Sequence, residues 1–66
     1  MQAHQERVVI EHKELDEKLF KLNHFIKDSP IFKGLQQAEQ DRLVRQQHWM
    51  TGYHQVLAER IAAFVP

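Results

Sequence analysis

Apolar residues in the first part of the chain fall on one helical stripe. Val8, Leu15, Leu19, Leu22 and Ile26, with His12 the one polar member, are spaced four, three, four, three and four. That is the spacing of a coiled-coil seam. From Gln2 to about Lys27 there is no Pro or Gly, and Glu, Lys, Leu and Gln dominate, so the stretch predicts one long helix. Glu14 with Lys18 and Glu17 with Lys21 are placed for four-residue ion pairs along it. Val9, Ile10, Phe20 and Phe25 lie off the stripe. They raise the question of what covers them.

The segment "DSPIFKGLQQ", Asp28 to Gln37, interrupts the pattern. Pro30 disfavours helical geometry at Ser29, and Gly34 supplies a free backbone torsion. Ile31, Phe32 and Leu35 give this bend an apolar plug of its own. A second uninterrupted stretch runs from roughly Ala38 to Phe64, with Gly52 its weak point and Leu43, Met50, Tyr53, Leu57, Ile61 and Phe64 its seam. Both stretches are roughly 40 Å long at the helical rise, and the connection is long enough to turn the chain back. The pattern predicts an all-α fold, an antiparallel two-helix hairpin forming a single domain over residues 1–66. A hairpin has one mutual face, and Val44, Trp49, Val56 and Val65 lie off the second seam as well. The surplus on both arms predicts assembly into a homo-oligomer.

Size and composition agree. Sixty-six residues bury only a thin core, and small scaffolds usually need disulfides, a metal or association. The absence of cysteine removes disulfides and thiolate metal sites and suits a reducing cytoplasm. The longest apolar run, Val8 to Ile10, is far too short for a membrane span or a signal-peptide core. Nine Lys/Arg balance nine Asp/Glu, which disfavours a DNA-associated regulator.

Candidate chemistry is sparse. None of the five histidines has a neighbour three or four residues away, so no helical metal pair is predicted; His24 and Asp28 are four apart, at the end of the first helix. The two Ser/Thr hydroxyls, Ser29 and Thr51, have no nucleophile elbow or base pattern around them, so no catalytic residues and no cofactor are assigned. At the bend, Lys27, Ser29 and Lys33 gather beside Phe25 and Phe32. Cations and aromatic faces of this kind hold phosphates and stack bases. The architectural alternative is that Lys27 answers the helix dipole, Ser29 makes a turn bond and the aromatics fill the tip; spacing alone favours it. Arg42, Arg45 and Arg60 lie on the second arm. An antiparallel arrangement brings Arg7 and Arg60 to the open end, as salt-bridge partners for Glu6 or Glu59 or, around a symmetry axis, as an anion pocket.

Arg7-Val8, Glu11, Glu14-Leu15, Lys18-Leu19, Lys21-Leu22, Phe25-Ile26, Phe32, Leu35, Glu39, Leu43, Gln46, Met50, Tyr53, Leu57 and Arg60-Ile61 together form a pattern over about residues 5–62. It resembles the small helical-hairpin domain of the phage anti-CBASS cyclic-oligonucleotide sponges, which is related to hairpins in phage sponges that counter the Thoeris defence. The resemblance implies a phage protein acting in the cytoplasm of the infected bacterium. It implies a homo-oligomer, a hexamer, that sequesters cyclic dinucleotides and cyclic trinucleotides without cleaving them. It further implies a dinucleotide pocket using Lys27 and Ser29, with His12 as the stacking ring in place of the family's usual tyrosine, and a trinucleotide site on a three-fold axis using Arg60, with Arg7 behind it. A different class remains open: a helical protein-binding inhibitor that grips a host or defence protein through Phe20, Trp49 and Val56.

Overall fold

The computed structural model describes residues 1–64 and contains three helices: α1 (Ala3–Asp28), α2 (Pro30–Gly34) and α3 (Gln37–Ala62). α1 and α3 are 26 residues each, about 39 Å at the helical rise, so end to end they would extend about 78 Å. The molecule measures 49 × 15 × 14 Å, which places the two helices side by side. Their direction follows from two cross-helix pairs. Asn23 bonds to Gln47, and Asp16, two turns nearer the start of α1, bonds to His54, two turns nearer the end of α3. The helices therefore run opposite ways.

The seam of α1 falls where its periodicity predicts. Val8, Leu15 and Leu19 are buried, and His12, Leu22 and Ile26 are half-buried. Val8 and Leu15 meet Leu57, whose exposure is 0 %, and Met50, Ile61 and Phe64 pack around them. On α3 one seam position differs from the sequence expectation. Tyr53 is 42 % exposed, and His54 faces α1 in its place. The reason is chemical as well as geometric: α1 presents His12, Asp16 and Asn23 along this flank, and His54 and Gln47 meet them there.

The bend is built as a helix, where the sequence suggested only an interruption. Ser29 closes α1 by donating its backbone N–H to the Phe25 carbonyl at 3.1 Å, and it opens α2 by accepting from Ile31 N–H through Oγ at 3.1 Å. Pro30 fits the first helical position because the N–H it lacks has no partner there. Phe32 is buried and meets Phe25 edge-on at 6.0 Å, which covers one of the four residues off the α1 stripe. Ile31, expected in the plug, is 68 % exposed. Gly34 does not use its freedom, since no glycine has positive φ among the described residues. The joint to α3 is held by the Gln40 amide, which donates to the Leu35 carbonyl at 2.9 Å and the Lys33 carbonyl at 3.3 Å.

The expected Glu14–Lys18 and Glu17–Lys21 pairs are not formed; among the described residues Arg42 pairs with Glu39, and His24 and His54 contact the carboxylates of Asp28 and Asp16. Val9, Ile10, Phe20, Val44, Trp49 and Val56 remain exposed in the single chain, and Val65 lies outside the described residues. No helix among them is long and apolar enough to cross a membrane.

Candidate functional site

The last two turns of α1 and the Ser29 junction form the most developed surface depression. One part, a cavity of about 370 Å³, is lined by Phe20, Lys21, His24, Phe25, Asp28 and Ser29. An adjoining part of about 270 Å³ adds Asn23 and Lys27 and shares Phe20, His24 and Asp28. The first part reaches the lower end of the size range of small-molecule sites, and both parts are open to solvent.

Helical spacing creates this surface. Phe20, His24 and Asp28 succeed one another every four residues, so they stack along one face, with Lys21 and Lys27 to either side. The Phe20 and His24 rings are 6.0 Å apart and tilted by 44°. His24 Nδ1 meets Asp28 Oδ2 at 2.7 Å, which fixes the imidazole and engages the one carboxylate of the site. Phe20 is 70 % exposed, an aromatic face without cover. Two lysines thus flank two rings. The Ser29 hydroxyl accepts from Ile31 and keeps its own proton to donate to a ligand oxygen. The arrangement suits an anion carrying flat rings: ammonium groups for phosphate, aromatic faces for bases.

A family model described as Sequestin matches residues 2–63. The chain belongs to the Sequestin family. No curated protein and no solved structure matches it.

The match to the Sequestin model includes every candidate residue, and the structure distributes them over three places. Ser29 lines the first part of the tip depression and Lys27 the adjoining part. Arg7 and Arg60 lie at the opposite end, the first in the second turn of α1 and the second in the last turn of α3. Arg7 stands twenty residues from Lys27, roughly 30 Å along the helix. Both arginines are exposed, and neither has a carboxylate partner within 4.0 Å among the described residues. His12 lies between the two ends, roughly 22 Å from Lys27. Its ring rests on His54 at a centroid distance of 4.4 Å, and its Nε2 is buried without a hydrogen-bond partner. Within one chain, therefore, His12 does not share a site with Lys27.

Phe20, Lys21 and His24 complete the tip depression of this Sequestin-family chain; sequence reasoning placed none of them in a nucleotide pocket and named Phe20 only as a contact for a protein partner. The signal was present. Phe20 stood out as an apolar residue off the stripe, and His24 and Asp28 as a four-residue pair. Their combination shows only when both are read on one face with Lys27.

Proposed function

We propose that the chain is a non-enzymatic sponge that binds and sequesters cyclic dinucleotide and cyclic trinucleotide signals. The tip depression carries the reading, because it combines two uncovered rings, two lysines and a hydroxyl whose proton is free. A cyclic dinucleotide presents two phosphates and two flat bases, so Phe20 and His24 take a base while Lys21, Lys27 and Ser29 meet phosphate oxygens. The name of the Sequestin family points the same way, toward holding a ligand. Holding requires no general base, and the ligand leaves intact.

In this reading the hairpin works as a homo-oligomer, a hexamer. Copies gathered around an axis bring a neighbour's His12 toward a tip, and several Arg60 and Arg7 side chains toward one another for a trinucleotide. Symmetry multiplies each cation, which lets a chain of zero net charge bind a polyanion. The setting is the cytoplasm of a phage-infected bacterium, where the protein lowers the free concentration of an immune signal. Calorimetric titration with cyclic dinucleotides and trinucleotides tests the reading, with chromatography of the ligand released on denaturation. Binding with intact recovery supports it; no binding of either ligand overturns it.

The exposure of Trp49 at 69 % and Val56 at 53 % supports a second reading, an inhibitor that docks a host or defence protein. Their face has a specific alternative occupant.

A further inference from the structure

α3 carries a second heptad-spaced row that packing against α1 leaves untouched. From Ala38 it passes through Arg42, Arg45, Trp49, Gly52, Val56 and Glu59 to Ala63, in alternating steps of four and three, and every member is exposed. The row is turned roughly 130° from the one that holds Leu43, Met50, Leu57 and Ile61. Inside the chain this row makes little sense. Gly52 sits mid-helix, where glycine is the least favourable residue after proline. Yet a Cβ at that position would meet nothing within 4 Å, and no glycine has positive φ. One turn away stands Trp49, most of whose surface is exposed.

The row is complementary to itself when two copies of α3 lie antiparallel. Trp49 of one copy then faces Gly52 of the other, so the largest side chain meets the smallest. Arg45 faces Val56, with its aliphatic stem available for the contact. Arg42 faces Glu59, and Ala38 faces Ala63 at the two ends. No facing pair carries like charges. The steps are those of a heptad, with the apolar contact confined to Trp49, Gly52 and Val56 and charged residues on either side of it. A surface shaped for an unrelated protein has no need to match itself.

We propose that a second copy of this chain docks α3 against α3, antiparallel, about a two-fold axis between Met50 and Thr51, each Trp49 seated over the other copy's Gly52. The contact deepens the self-assembly in the proposed function, and none of its residues lines the tip depression. Sedimentation equilibrium of the full chain tests it with Arg42→Glu, Glu59→Arg, the double exchange and Gly52→Leu. Each single reversal weakens association roughly tenfold or more, and the double exchange recovers most of the loss. Gly52→Leu also weakens association although it raises helicity by circular dichroism, so misfolding cannot account for the loss. If the chain associates and the reversals and Gly52→Leu leave its affinity unchanged, or if the exchange fails to recover it, this docking is wrong. A chain that stays monomeric overturns the docking too. Nucleotide titration of the same samples separates the two ideas, because a monomer or a differently assembled chain that still binds cyclic nucleotide keeps the tip site without this contact.

Discussion

The rings of His12 and His54 lie 4.4 Å apart across the α1–α3 seam. One nitrogen of this pair is satisfied, because His54 Nε2 meets Asp16 Oδ1 at 2.8 Å, while His12 Nε2 is buried and has no partner. The seam thus carries a polar defect in its middle, in a protein with a thin core.

That defect sets a stability prediction. His12→Leu replaces an unpaired buried nitrogen with an apolar group and raises stability by about 1 kcal/mol, which for a domain of this size shifts Tm by about 4–8 °C. Thermal unfolding followed by circular dichroism checks it. If the same variant also loses nucleotide affinity, the histidine is retained for binding at a cost in stability.

Among the described residues, Leu57 is the one side chain whose exposure is zero. Leu57→Ala costs about 2–5 kcal/mol, a large share of the total for so small a fold. Urea titration detects it as a midpoint near zero denaturant. A variant as stable as the parent means that this core is not what holds the helices together.

Gln40 ties α3 to the end of α2 through two backbone carbonyls. Gln40→Ala removes both bonds at a cost of about 1 kcal/mol, and the loss is local. Hydrogen exchange speeds up at the α2 amides and stays unchanged in the middle of α1.

At the tip, Phe20→Ala separates binding from folding. An exposed residue changes stability by less than about 0.5 kcal/mol, whereas losing one base-stacking face costs about 1–3 kcal/mol of ligand affinity. Lys27→Ala weakens dinucleotides and Arg60→Glu weakens trinucleotides, each leaving the other ligand largely unaffected. Calorimetry on the three variants with both ligands checks the pattern.

Much of the fold is legible in the sequence, for physical reasons that can be named. The α1 stripe of Val8, Leu15 and Leu19 is pure periodicity, and periodicity survives folding because those residues have one face to bury. The exchange of Tyr53 for His54 is not legible from α3 alone. It depends on which polar groups α1 presents opposite, and that depends on the register between the helices. The bend was read as a break because Pro and Gly usually mark one, yet Pro30 at a first helical position starts α2. The tip depression shows the same limit. Lys27 and Ser29 are close in sequence and were found together, but Phe20 and His24 join them only through the helical face. His12 and His54 are far apart in the chain, so no local spacing pairs them.

Titration of the purified protein with a cyclic dinucleotide, followed by denaturation and chromatography of what is released, tests the central claim most directly. The account predicts saturable binding and quantitative return of the unaltered ligand. An absence of binding by both cyclic dinucleotides and cyclic trinucleotides, or release of linear fragments, would contradict it.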